Sequence, residues 1–481
     1  LLEINQQHII YIPIRSILIQ RQLWPSWKGN KMVSGKESSQ FFDYFIFPKI
    51  FQTFRMSIQP TKLIITSIAL AVICLTGWIM DFSKPVVNTS GTQSQLTELD
   101  VYMNMADSSE LTSFIETWKE EGERVGVFST LWHFSAKKFQ GAVDSVLLIP
   151  DIKAVFEGVL NNITDFFKAL GWALRYHTVY CLIFFAIELA VMSIAGGAIC
   201  RIAALQFARG EKPGLTEALR YSTKKFTSFF TAPLAPVGII IFIGLFIFLL
   251  GLVGNIPRVG ELIVGLGMPM ALFAGSLLAV IVIGAVAGFN LMFPAVAYDG
   301  SDSFDAISRS FSYVYAKPWR MAIYTIIAAI YGSICYTFVR FFAFLSLWIT
   351  RWLLQLSLWA DNGSKEVNKL IVIWPKPEFR YLLGTSNPTT ANWTESVAAF
   401  LVYLFLLVIV GLVVSFIISF YFSANTIIYS LMRKTVDNTA FEDIYMQFDE
   451  AEVEPATDEL LPKEEPPSES KSKPDDSSSS Q

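Results

Sequence analysis

The sequence predicts an all-α fold: a polytopic transmembrane helical bundle of about six spans, with a mainly helical extracytoplasmic insertion and a disordered acidic C-terminal tail. Three observations lead there. Of 481 residues, 53% are hydrophobic and only 16% charged, where soluble domains carry about a quarter charged residues. The apolar residues fall into uninterrupted blocks of roughly 18 or more, the length that crosses about 30 Å of hydrocarbon at 1.5 Å per residue. Acidic residues crowd into the last stretch of the chain, while the remainder is slightly basic, so the net charge of -4 averages two unlike regions.

The elements follow in order. The chain opens on Leu1, which points to a fragment or an unusual start, with Met32 as a candidate first residue. Residues 41–55 (FFDYFIFPKIFQTFR) set aromatic rings beside Lys49 and Arg55, as an interfacial segment does. The first span, Leu63 to Met80, lacks a small-residue cleavage pattern and reads as an anchor rather than a signal peptide. Residues 82–176 are the one sizeable polar insertion. Within it Ile152, Val155, Phe156, Val159, Ile163, Phe166, Phe167 and Leu170 recur at three- and four-residue steps. That is the stripe of an amphipathic helix, lying along the membrane, covering the bundle, or filling the core of a small helical domain.

Span two, Val179 to Ala203, is followed by a basic segment containing Arg201, Arg209, Lys212, Arg220, Lys224 and Lys225 against Glu211 and Glu217, which belongs on the cytoplasmic side. Spans three (Pro233 to Asn255) and four (Met268 to Ala297) are joined by a short external turn with Arg258 and Glu261. Residues 298–320 return inside. Apolar character then runs from Met321 to Trp359, too long for one crossing, and Arg340 and Arg351 interrupt it. The reading is a span to Val339 followed by an outer interfacial helix, with Arg340 snorkelling at the boundary. Two tightly connected spans would raise the count to seven. Span six, Val397 to Phe420, leads to Arg433 and Lys434, so six spans put both termini in the cytoplasm of a bacterial-type cell membrane.

The resulting division is an N-terminal cytoplasmic or interfacial segment (1–62), a first anchor (63–80), the extracytoplasmic insertion (81–176), a transmembrane bundle with repeated inner-face amphipathic helices (177–445) and the tail (446–481). The tail is rich in Pro, Ser and acid, with too little apolar surface to offset the entropy of ordering.

Three inner segments resemble one another: ARGEKPGLTEALRYS from Ala208, YDGSDSFDAISRSFS from Tyr298 and MRKTVDNTAFEDIYM from Met432. Each makes a polar turn and then starts a short helix with an early acid, as with the Thr439 to Glu442 capping box. Duplication of a helical hairpin accounts for the pattern. Together with GGAICRIAALQFARGEKPGLTEALRYSTKKF and DSFDAISRSFSYVYAKPWRMAIY, this plan resembles uncharacterised bacterial polytopic membrane proteins similar to the membrane domain of glycerophosphodiester phosphodiesterases. The resemblance covers residues 178–445. It implies a membrane module without the family's catalytic barrel, because the paired histidines and metal-binding acids of that barrel have no counterpart among His8, His133 and His177.

No nucleophile with a partner, metal set or phosphate loop emerges, so no catalytic residue, cofactor or metal ligand is assigned, and nothing points to nucleic acid. Gly284 and Gly288 in span four and Gly196 and Gly197 in span two are small-residue patches for close helix packing. Glu188, in the middle of span two, is the polar residue that demands an explanation, because an ionised carboxylate there costs several kcal/mol unless protonated or paired. Asn290 in span four and Arg340 are the candidate partners. The expected function is a non-enzymatic membrane component or scaffold, bound to lipids and to protein partners through residues 81–176 or the acidic tail. The alternative is a transporter or lipid-handling protein that uses Glu188. Oligomeric state is not legible.

Overall fold

The computed structural model describes residues 44–89, 96–104, 108–120, 122–147, 152–357, 369–384 and 393–446. The acidic tail beyond 446, most of the N-terminal segment and much of the loop from Asp361 to Glu395 lie outside these residues. Two units divide the chain, 1–49 and 50–481. Of the first, only the opening of a 3-10 helix, Tyr44–Phe51, is described. The fold that follows is that of the second.

Among the described residues fourteen α-helices carry it: α1 (Gln52–Ser57), α2 (Pro60–Met80), α3 (Glu98–Asn104), α4 (Ser108–Thr117), α5 (Val127–Leu147), α6 (Ile152–Tyr176), α7 (Thr178–Arg209), α8 (Leu215–Lys224), α9 (Phe226–Val253), α10 (Gly260–Asp299), α11 (Ser303–Ala316), α12 (Pro318–Ser357), α13 (Lys369–Ile373) and α14 (Trp393–Asp437). Six of them, α2, α7, α9, α10, α12 and α14, are long and apolar enough to cross a bilayer. This fits a multi-pass membrane protein with a helical bundle. The spans alternate in direction. At one end Lys62 of α2 reaches Gln206 of α7 and Ser423 of α14, at 3.4 and 3.2 Å. At the other, Asp81 after α2 receives the Tyr180 hydroxyl from the start of α7 at 2.8 Å.

The block from Met321 to Trp359 departs from expectation. α12 is one helix of 40 residues, about 60 Å at 1.5 Å per residue, without a turn at Arg340 and without a second crossing. Nothing in its sequence breaks a helix, and an arginine inside it needs only acceptors. Arg340 does not snorkel. It is buried and donates to the Phe379 and Arg380 carbonyls at 2.9 and 2.6 Å and to the Tyr336 hydroxyl at 3.0 Å.

The insertion is mainly helical but contains a short antiparallel pair, β1 (Val86–Asn88) and β2 (Glu123–Val125), in the register Val87 to Arg124. Its core gathers Val86, Leu99, Leu111, Val127 and Trp172. Asp81 caps α5, accepting from the amides of Phe128 and Ser129 at 2.9 and 2.8 Å, which supplies acceptors that the first helical turn lacks. Gly126 permits this approach, because a Cβ there would stand 2.1 Å from the Asp81 carboxylate.

α5 and α6 pair antiparallel, with Lys138 on Asp165 at 2.6 Å and Asn162 against Gly141. The apolar stripe of α6 does not enter a core. Of its residues Phe156, Ile163 and Phe167 are exposed, as is Leu160 outside the predicted stripe, on the side opposite the small and polar residues that meet α5, because residues two apart on a helix face nearly opposite ways. Of the aromatic segment 41–55, Phe54 packs onto the bundle against Phe338 and Phe416.

Two of the three resembling segments share one plan. α7 and α10 end on left-handed caps, Gly210 (φ 75°) and Gly300 (φ 63°), a conformation that glycine adopts without a Cβ penalty. The chain then folds back as α8 and α11 against its parent helix. Asp302 caps α11 by accepting from the Asp305 amide at 2.9 Å. The third segment also has a left-handed residue, Asn438 (φ 55°), but residues 438–446 form no helix. The Thr439 hydroxyl, expected to open a capping box, is buried without a partner among the described residues.

Candidate functional site

Burial is uneven along the hairpin of α9 and α10. In α9 the buried residues are Phe229, Ala232, Pro233 and Pro236. In α10 they are Gly260 at the turn and then Gly284 onward. The hairpin therefore packs into the protein at one end and leaves it toward its tip. A cavity of about 550 Å³ lies at the point of departure, between α7, α9, α10 and α14. Its walls are largely apolar, with Leu182, Phe185, Met192, Phe230, Leu234 and Phe293 prominent. Leu182, Leu234 and Phe289 are exposed at its margin, so the cavity opens sideways onto the surface that the apolar helices present.

Three polar side chains line it: Glu188 of α7, Asn290 of α10 and Tyr421 of α14. The Tyr421 hydroxyl donates to Asn290 Oδ1 at 2.5 Å. The Glu188 carboxylate has no hydrogen bond or ion pair among the described residues, and no Lys, Arg or His is among the lining residues. The wall thus offers a carboxylate, an amide and a phenol hydroxyl, and no group of three or more His, Cys, Asp or Glu that could hold a metal occurs among the described residues.

No family model, curated protein or solved structure matches this chain. The chemistry of the cavity is therefore the ground on which its function is argued.

Of the sequence-predicted residues, Glu188 and Asn290 come together in one cavity, without a hydrogen bond between them. Arg340 does not join them: its guanidinium is taken up by carbonyls of the loop after α13. Gly196 meets the Phe422 ring, and Gly197 meets Ser222 and Phe229, each closer than a Cβ would tolerate. Gly284 and Gly288 lie against Phe311 and Ser310 of α11, at 3.0 and 3.4 Å from an added Cβ. Their neighbour is thus the fold-back helix rather than a second span.

Sequence reasoning missed Tyr421, which falls one residue past the predicted end of span six. It also missed the buried polar cluster at the end of the bundle that carries α8 and α11. Asp299 there receives the Tyr429 hydroxyl, with Arg433 and Arg309 at 3.2 and 3.3 Å. Arg201 donates to the Ala297 carbonyl at 3.0 Å and lies over the Tyr221 ring at 4.4 Å. Burial pushes the Tyr221 hydroxyl up to about 12, opposed by the neighbouring Arg201 charge. Each of these side chains has a carbonyl, carboxylate or ring beside it, so the cluster has a structural account. Its acids and bases are far apart in sequence, and only the tertiary fold reveals the match.

Proposed function

We propose that this chain is a membrane protein that takes an amphiphilic molecule from the bilayer into the cavity between α7, α9, α10 and α14. One observation carries the reading: an apolar-lined cavity of about 550 Å³, open at its side, with Glu188, Asn290 and Tyr421 gathered on its wall. Ligand sites are mostly apolar concavities of about 300–1,000 Å³ with a few convergent polar groups. A lateral opening suits a ligand that arrives through lipid, with its chain on Phe185, Phe230 and Phe293 and its polar end at Glu188. An intramembrane acid that no protein group neutralises is a functional position more often than others.

Native mass spectrometry of the full chain released from lipid nanodiscs tests this. A bound lipid-sized adduct is expected in the wild type, and it disappears when Leu234→Trp and Ala186→Phe fill the cavity. Met270→Trp, on an exposed face of α10, leaves it in place. An adduct of equal abundance in the filled variant removes the support for this site. A co-purifying protein in place of a lipid favours a scaffold acting through residues 81–176 or the tail.

The orientation we assign puts the end with α8, α11 and the C-terminal segment in the cytoplasm. Arg209, Lys212, Lys225 and Lys317 flank the spans there, and positive residues favour that side. Six crossings then return both termini to it, in a bacterial-type cytoplasmic membrane. A reporter active only in the cytoplasm, fused after Gln481, gives signal if this is right and none if the chain is inverted.

A further inference from the structure

We infer that the polar end of the molecule held in the cavity is a cation, an amine-bearing amphiphile whose ammonium is held by Glu188. This rests on the amphiphile-binding reading above and names its ligand class. Three features of the wall carry it. Glu188 is the only carboxylate among the lining residues, and no basic side chain lines the cavity to neutralise it. Its oxygens have no hydrogen-bond partner among the described residues, so their acceptor capacity is open to a ligand. Asn290 Oδ1 is already engaged by the Tyr421 hydroxyl at 2.5 Å.

Each headgroup class meets this wall differently. An ammonium brings three donors and a positive charge, which supplies both the hydrogen bonds and the counter-charge that a carboxylate in an apolar wall lacks. A hydroxyl brings one donor and no charge. A carboxylate or sulfate sets like charges together where the surroundings screen them poorly. The order of affinity is therefore amine, then alcohol, then acid. Hydrogen bonds to charged groups exceed neutral ones enough to give the amine an advantage of roughly tenfold over an alcohol of equal chain length. The apolar walls hold the chain of either ligand alike, so the headgroup alone sets the difference.

The test uses the full chain in nanodiscs of phosphatidylcholine, whose zwitterionic surface does not concentrate cations. Hexadecylamine, hexadecanol and palmitate are titrated, and bound ligand is counted by native mass spectrometry after release. Wild type is expected to bind hexadecylamine roughly tenfold more tightly than hexadecanol, and palmitate least. Glu188→Gln is expected to abolish that advantage while hexadecanol binding persists, which also shows that the variant is folded. Glu188→Asp keeps the charge and should retain the preference in weaker form. Equal binding of amine and alcohol by the wild type overturns the inference and leaves the cavity reading standing, as does an amine preference that survives in Glu188→Gln. Failure of all three ligands to bind overturns both.

Discussion

Removing the Asp299 carboxylate should destabilise the packed end of the bundle, because it is the acid shared by Tyr429, Arg433 and Arg309. It closes α10, and its side chain is 7% exposed. The Tyr429 hydroxyl donates to it. Arg433 Nε stands 3.2 Å from Oδ1 but makes no hydrogen bond, so this contact is Coulombic rather than directional. Arg433 is itself buried, and its other nitrogens are held by the Asp443 carbonyl and carboxylate at 2.6 and 3.1 Å. Asp299→Ala leaves Arg433 with the Tyr298 ring at 5.3 Å and Asp443, whose side chain is 67% exposed and therefore screened, and it removes the acceptor of the Tyr429 hydroxyl. Breaking a buried pair costs about 3–5 kcal/mol. The remaining Asp443 contacts place the expected loss near the lower end, about 3 kcal/mol. Asp299→Asn keeps an acceptor for Tyr429 and should fall between wild type and alanine. The control is Asp305→Ala, which removes a half-exposed partner of Arg309 and should cost under about 1 kcal/mol. Unfolding can be followed in micelles with a thiol-reactive dye, because Cys200 is fully buried and becomes reactive only when α7 separates from α14. A loss for Asp299→Ala within about 0.5 kcal/mol of that for Asp305→Ala would refute the reasoning.

Other outcomes follow from the same contacts. Trp172→Ala empties the core of the insertion, where Trp172 is fully buried, and should destabilise by about 3–5 kcal/mol. Phe167→Ala, 62% exposed on the other side of the same helix, should cost far less, and equal losses by denaturant unfolding would place the stripe in a core after all. Gly197→Ala puts a Cβ 2.5 Å from Ser222 Oγ and 2.8 Å from the Phe229 ring, and should cost about 1–3 kcal/mol by overpacking. Unchanged thermal stability would show that α8 moves aside freely. Tyr221 ionises near about 10 when unfolded but holds its proton to about 12 when folded. Between these values the folded state binds more protons, so stability falls as pH rises through the window. Tyr221→Phe should shallow that fall, while losing about 1 kcal/mol at neutral pH with the hydrogen bond to Val296. An unaltered slope assigns the alkaline loss to another group.

The spans were legible because a bilayer demands long apolar runs, a requirement local in sequence. Their ends were not. α14 extends to Asp437, beyond the predicted Phe420, because protein packing takes over where the apolar run stops, and α10 begins at Gly260 rather than Met268, continuing as an exposed helix to its turn with α9. Arg340 was misread for a related reason: hydropathy treats an arginine as an interruption, whereas carbonyls some 40 residues away satisfy this one inside a continuous helix. Glu188 stood out because an acid in an apolar run is locally anomalous. Its neighbours Asn290 and Tyr421 lie about a hundred and two hundred residues on, and no local pattern joins them. The α6 stripe shows the opposite limit. Its periodicity revealed an apolar face, but which way that face turns depends on Gly141 and Gly158 forming the seat for α6 against α5.

The left-handed caps at Gly210, Gly300 and Asn438 recur where three long helices end, and each sends the chain back toward the bundle. After the first two, α8 and α11 fill the return. After the third, residues 438–446 cross instead as a strap: the Tyr298 hydroxyl donates to the Phe441 carbonyl, and the Tyr445 amide donates to the Tyr298 carbonyl at 3.0 Å. These returns bury the ends of α7, α10 and α14, which accounts for the long buried runs from Ala195 to Leu205 and from Asn425 to Arg433. The folded-back segments thus build a packed half, held by a polar cluster. Beyond it the hairpin of α9 and α10 has only its own two helices and surrounding lipid to lie against. A cavity at the junction of these halves, at Phe230, Pro233, Phe289 and Asn290, has one wall set by protein packing and another free to part from it. Under the proposed reading, the rigid wall holds Glu188 in place while the loosely covered one admits a chain from the bilayer. The folded-back segments therefore bear on the cavity through the boundary they create, even though neither Glu188 nor Tyr421 belongs to them.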